Sequence, residues 1–443
     1  MFENILHQEE VTNQLKSDIE SGALAPSILF SGSLYSGKGT AALELARILS
    51  CENEAKQGAW NCPCPSCVRQ RHLVSPDLLL LGRRRFFEDI AASSGAFLRN
   101  RENEGSRMLF LRAVRKLLLR FNSILWEDDP KLGKLKAQIG VLEEELEDIE
   151  SGAESAGMEK KCESIIKKAA KLESDGLGDL IPIAQIRKAA YWSRLKPLGR
   201  HKCVIMENAE NMQEGAKNSL LKILEEPPLH LSIILTSPRP KILLPTMLSR
   251  LREYGFAKRK PAAEKEVLSR IFRETQPETV SMERNCSIES YLASFLPVKS
   301  DTLYSLGAFF AASIAAEAVR EGRARGRASP PELIDLGKFS AGIAEKGGVG
   351  RPAGSARDTL QKVLSEAGQF DIPGLFTRFL QECTALISAW RRNGNDSLDL
   401  EKTNTAELWR RELNRSAAES ETFNISPPMV LEKLAETLKT GML

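Results

Sequence analysis

Several absences narrow this sequence before any motif is read. Its 62 Lys and Arg against 59 Asp and Glu leave a net charge of only +3. That is too little to argue for nucleic-acid binding from charge alone, so any basic surface has to be local. No apolar run approaches the length of a membrane span, and no spanning helix is expected. The start, Met1-Phe2-Glu3-Asn4, lacks the basic and apolar regions of a signal peptide, which points to the cytosol. In that compartment the eight cysteines are not expected to pair as disulfides. What remains is an ordinary soluble composition, 42% hydrophobic and 27% charged, over 443 residues, enough for two to four domains.

A local absence is more informative. Residues 32–38 read Gly32-Ser33-Leu34-Tyr35-Ser36-Gly37-Lys38, a phosphate-binding loop one residue short of the full signature. A Ser or Thr should follow, because its hydroxyl holds the magnesium of a bound nucleotide. Here Gly39 follows, and Thr40 comes one place late. The apolar run Ser27-Ile28-Leu29-Phe30 before the loop suits a buried strand, and Ala41 to Leu49 reads as an amphipathic helix. Strand, Gly-rich turn and helix aim backbone N–H groups at an anion. Gly32, Ser36, Gly37, Lys38, Gly39 and Thr40 are therefore the candidate nucleotide-binding residues.

Cys51, Cys62, Cys64 and Cys67 cluster within one short stretch. Grouped thiols in a cytosolic chain point to a structural Zn²⁺, which clips a loop with little core of its own. Pro63 and Pro65 stiffen this knuckle. The spacing departs from paired C-x₂-C, so His72 or a water is an alternative to Cys62 as the fourth ligand. Cys162, Cys203, Cys286 and Cys383 are scattered and read as small core residues.

From Arg83 to about Gly178 the character changes to long charged helices. Leu111, Val114, Leu118, Phe121 and Leu125 step by three and four; so do Leu132, Leu135, Ile139, Leu142, Leu146 and Ile149, and then Met158, Cys162, Ile165, Ala169 and Leu172. The spacing predicts one apolar seam per helix and an antiparallel coiled-coil hairpin, its acidic first arm attracting its basic second. The α/β pattern resumes with a helix over 183–195, strand 202–206 ending in Glu207-Asn208, a helix over 218–224 and strand 231–236. The class is an α/β fold, a parallel sheet with helices on both faces, carrying the knuckle and the helical insertion. Beyond Lys258 only helices are expected: a small lid over 256–300 and an all-α collar over 301–443. The collar ends in an amphipathic helix on Met429, Leu431, Leu434 and Leu438.

These features together resemble the clamp-loader family of AAA+ proteins, and within it the delta-prime branch of bacterial DNA polymerase III. The carrying residues are His7-Gln8, the loop, the cysteine module and Ser75-Pro76-Asp77. Downstream they are Ile183 to Arg187, Asn218 to Pro228 and Leu244-Pro245-Thr246-Met247-Leu248-Ser249-Arg250, where Leu251 replaces the family's Cys. The match covers about 160 residues of 1–255.

The resemblance implies a hetero-oligomeric ring with gamma/tau and delta subunits that loads the beta sliding clamp on primed DNA. An active member ends its metal-binding strand with Asp-Glu; here Glu207 and Asn208 stand there. Glu207 is kept as a candidate nucleotide-site residue, able to reach a metal through its extra methylene, whereas the Asn208 amide cannot serve as a base. The expectation is therefore a subunit that holds ATP, if at all, without hydrolysing it. Arg250 is the implied arginine finger, reaching a neighbour's γ-phosphate in trans. The alternatives are an active gamma/tau-type motor and an AAA+ scaffold recruiting a partner through its coiled-coil arms. Gly354-Ser355-Ala356-Arg357 resembles the family's sensor 2 motif, but lies too far past Arg250 and reads as coincidence. Arg320, Arg323, Arg325 and Arg327 read as a solvated basic loop.

Overall fold

Strand β1 (Ser27–Gly32) is almost wholly buried and is paired on both edges, by β4 (Leu231–Ser237) and β5 (Arg252–Phe256). With β2 (Leu78–Leu81) and β3 (Lys202–Met206) it forms a five-stranded sheet in the order β2-β3-β4-β1-β5, every pairing parallel. In this computed structural model residues 1–53, 57–82, 85–152, 157–178, 180–274, 287–296, 298–328, 330–349, 372–393, 399–423 and 426–442 are described. The sensor 2 resemblance at 354–357 and Cys286 lie outside them. Two compact units emerge, 1–295 and 296–443.

The period-two alternation of the strands splits the first unit's core. Ile28, Phe30, Leu78, Leu80, Cys203, Ile205 and Ile234 face helices α1 (Glu9–Glu20) and α2 (Lys38–Leu49), against Val11, Leu15, Ala41 and Leu45. Leu29, Leu79, Leu81, Val204, Met206, Ile233 and Leu235 point the other way. They share one continuous core with α8 (Ile183–Arg194), α9 (Glu214–Glu225) and the insertion. A short helix, α3 (Pro65–His72), follows the cysteine knuckle.

The insertion comprises α4 (Phe86–Arg99), α5 (Glu104–Leu118), α6 (Pro130–Glu150) and α7 (Met158–Gly176). The expected seam is there: Leu132, Leu135, Leu142, Leu146, Ile149, Met158, Cys162, Ile165, Ala169 and Leu172 are buried, with Ile139 partly so. Opposite charges join α6 to α7, Lys168 Nζ to Glu145 Oε1 at 2.6 Å and Lys161 Nζ to Asp148 Oδ2 at 2.7 Å. The pair does not stand alone as a free coiled-coil arm, because α4 packs on α5 and α7, and α5 on α6. Phe110, Leu111, Val114 and Phe121 carry the core from this bundle to the sheet.

A short α10 (Pro245–Leu248) precedes β5, and two further helices, α11 (Pro261–Ile271) and α12 (Ile288–Ala293), close the unit. Val267, Leu268, Ile288, Tyr291 and Leu292 of these two bury themselves together with Ala92 of α4.

Among the described residues the second unit holds helices and no strand: α13 (Ser300–Ala324), α14 (Pro331–Lys346), α15 (Ile372–Arg392), α16 (Asp399–Phe423) and α17 (Pro427–Met442). Contrary to expectation, α13 is long and apolar enough by composition to cross a membrane, with mean hydropathy 1.4. Its apolar window is 78% buried among Phe376, Phe379, Trp409 and their neighbours, which is how the core helix of a bundle looks. On α17 Leu431, Leu434 and Leu438 face the core as expected, whereas Met429 is exposed and Val430 takes the inward place.

Candidate nucleotide site and cysteine cluster

The phosphate loop turns at two glycines whose backbone no side chain would tolerate. Gly32 has φ 138°, and a Cβ there would lie 2.3 Å from the Phe256 carbonyl oxygen of β5. Gly37, φ 100°, is the N-cap of α2. Lys38 opens that helix, and its ammonium donates to the carbonyls of Gly32 (2.7 Å) and Ser33 (2.5 Å) and to Ser36 Oγ (3.3 Å). Burial lowers the Lys38 pKa to about 8; Glu210 and Glu207 pull the other way, and Arg259 adds to the lowering. Thr40, the hydroxyl that arrives one residue late, is exposed, because one helical step of 100° turns it away from the loop.

Two residues outside the motif fix the loop. Gln8 donates to the carbonyls of Ser36 (3.1 Å) and Ala257 (2.7 Å) and accepts from the Ala257 N–H (3.0 Å). The Arg259 guanidinium donates to the Tyr35 and Leu6 carbonyls, and the nearest atom to a Cβ at Gly37 would be its Nη2 at 2.9 Å. Gln8 was legible only as part of a family match and Arg259 not at all, since its partner lies 224 positions away.

At the ends of β2 and β3 the expected metal-binding carboxylate has another partner. Arg120, 2% exposed, reaches Glu207 Oε2 with Nη2 and the Leu81 carbonyl with Nη1 (2.9 Å). Asn208 follows in the left-handed conformation, φ 52°, its N–H on Thr236 Oγ1 at 3.4 Å. Glu210, which the sequence reading passed over, is buried and accepts from Ser237 Oγ at 2.7 Å. These residues do not fit a magnesium ion: Gly39 has no hydroxyl to offer, and Glu207 is committed to a guanidinium.

Arg250 follows α10 at the rim of the unit. Its guanidinium donates to the Thr246 carbonyl (2.7 Å), Ser249 Oγ (3.3 Å) and Glu225 Oε1 (2.7 Å), and its side chain is 34% exposed.

The four cysteines do come together. The Sγ atoms of Cys51, Cys62, Cys64 and Cys67 all lie within 4.8 Å of one another, those of Cys51 and Cys62 at 3.8 Å. Tetrahedral Zn–S bonds of about 2.3 Å would set sulfurs about 3.8 Å apart, so the cluster fits zinc. His72 is elsewhere, its Nδ1 2.5 Å from Glu150 Oε1. Burial works against ionisation of Cys64, but N–H groups of Cys67 and Glu52 and neighbouring thiols donate to it and bring it down to about 7. Arg47 of α2, buried against Glu44, donates to Cys67 Sγ at 3.3 Å and ties the phosphate-loop helix to the cluster.

The model of the family described as "DNA polymerase III, delta subunit" matches residues 7–260. The gamma/tau subunits of DNA polymerase III from Mycobacterium bovis and Mycobacterium tuberculosis are 29% identical over 125 residues, 27% of this chain. The chain spans about a fifth, 21%, of the length of these curated relatives. A solved gamma subunit-related protein from Thermotoga maritima aligns over 64% of this chain and 90% of its own, at 17% identity and TM-score 0.27.

Proposed function

The chain belongs to the DNA polymerase III delta subunit family, and from that premise we propose that it acts as a delta-prime-type clamp-loader subunit. In this reading it sits in a ring with gamma/tau and delta subunits, helps place the beta sliding clamp on primed DNA in the cytoplasm, and hydrolyses no ATP itself. The observation that carries it is a phosphate loop with its backbone in place and its hydrolytic partners replaced. Gly39 stands for the metal-binding hydroxyl and Asn208 for the base that would polarise water. Gly32, Ser36, Gly37 and Lys38 suit a bound phosphate, so nucleotide would serve as a structural ligand. Arg250 is the residue we assign to a neighbour's γ-phosphate, exchanging Glu225 for it on assembly. Zinc on Cys51, Cys62, Cys64 and Cys67 would hold the knuckle, α11 and α12 would form the lid, and 301–443 the collar.

The test is the steady-state ATPase rate of the ring on primed DNA with clamp, assembled with and without this chain, beside the chain alone. A chain silent alone but required by the ring supports the reading. Turnover by the isolated chain puts the gamma/tau-type motor in its place.

A further inference from the structure

Arg120 carries the insertion to the phosphate-loop site, and the nature of that contact sets what the site can bind. Arg120 lies in the 3₁₀ turn Leu119–Phe121 that closes α5. Its own carbonyl accepts from Trp126 Nε1 at 2.6 Å, and Trp126 stacks on Phe121 with ring centroids 5.5 Å apart. Its guanidinium stands over the Phe86 ring at 5.4 Å. Fixed on these sides by the insertion, it bonds to the carboxylate of Glu207 and to the carbonyl that ends β2. The pair is close enough to Lys38 that the Glu207 charge acts on that ammonium. Oε2 of this carboxylate is taken by the guanidinium, which packing holds in place, so a divalent ion approaching Glu207 would have to share it with a fixed, buried positive charge that repels the ion.

We propose that Arg120 stands in for the divalent cation, so that Glu207 binds no metal and any phosphate held by this loop is held without magnesium. The inference rests on the reading of Glu207 as the metal-binding position of a phosphate-loop site. It gives the insertion a role inside the site, as the element that supplies the replacing charge. Release of Arg120 should restore a metal site, because the carboxylate then remains buried with a deficit of positive charge.

The experiment is binding of Mn²⁺ alone, followed by electron paramagnetic resonance, to the full chain, Glu207→Gln, Arg120→Gln and the double variant, with circular dichroism confirming each fold. The wild type and Glu207→Gln should take up Mn²⁺ identically. Arg120→Gln should gain one site at least about 10-fold tighter than any in the wild type, and the double variant should lose it again. A wild-type Mn²⁺ site that Glu207→Gln abolishes would overturn the proposal, as would a folded Arg120→Gln chain with no gain. Should Arg120→Gln not fold, the wild-type and Glu207→Gln comparison decides alone. None of these outcomes depends on partners, so the ring assay can fail while this proposal stands, and the reverse.

Discussion

Two arginine–glutamate pairs flank the sheet of the first unit, and they differ in one physical respect. Arg120 and Glu207 meet in the core, 2% and 9% exposed. Arg250 and Glu225 meet at the rim, 34% and 48% exposed. In the core neither charge has water to return to, so parting them exposes each to its full desolvation cost. At the rim water takes over either partner at little cost, so the same chemistry is exchangeable. One pair is a lock and the other a latch, and burial alone decides which.

The largest effect that can break this comparison is on the lock. Arg120→Ala leaves Glu207 buried without its cation and removes packing from Phe86. It should lower the unfolding free energy by about 3–5 kcal/mol, read by urea denaturation of the full chain. A loss as small as that of a surface pair would mean that Glu207 is relieved by water, and the contrast would collapse.

The loop lysine comes next, because it is a buried charge with a weaker arrangement of partners. Its folded pKa is about 8 against an ordinary 10.5. Between these values the unfolded chain holds the proton and the folded chain does not, so this group makes stability rise with pH from about 8 towards 10.5. The rise should be on the order of 2–3 kcal/mol in denaturation curves, and Lys38→Met should remove it. For the same reason inorganic phosphate or nucleotide should bind more weakly as pH climbs through about 8. A flat profile in the wild type would show that the Gly32 and Ser33 carbonyls and the nearby carboxylates offset the burial.

How much of this was legible in the sequence follows from the range of each interaction. β1, β3 and β4 announce themselves because each is buried on both faces and so carries an unbroken apolar run, Ile28 to Phe30, Cys203 to Met206 and Ile233 to Leu235. β5 does not, since as an edge strand its Arg252, Glu253 and Gly255 are exposed and only Tyr254 and Phe256 turn inward. The seam of α6 and α7 was visible in steps of three and four, yet its contact with α4 and α5 was not, because periodicity names a face and not its partner. The cysteine cluster was readable from four thiols in one stretch. Arg120 was not, being one basic residue among many in a helical segment, 87 positions from the glutamate it meets. The same holds for Arg259, whose contacts with Leu6 and Tyr35 exist only once β5 has brought the chain back past β1.

The smallest effect on stability belongs to the latch, and there it is the smallness that matters. Arg250→Ala removes one exposed ion pair and two hydrogen bonds within its own turn, so unfolding should change by no more than about 1 kcal/mol. Assembly with gamma/tau and delta subunits should likewise persist. If the arginine is a finger in trans, however, the ring's DNA-stimulated ATPase should fall by about 10³-fold or more at the site it serves. Glu225→Gln sharpens the point from the other side. It frees Arg250 without removing it, so stability should again barely move while the ring's rate is kept or raised. A ring whose rate falls equally with both substitutions would show that the pair itself is what matters, a contact holding the rim in shape, and would take the finger role away from Arg250.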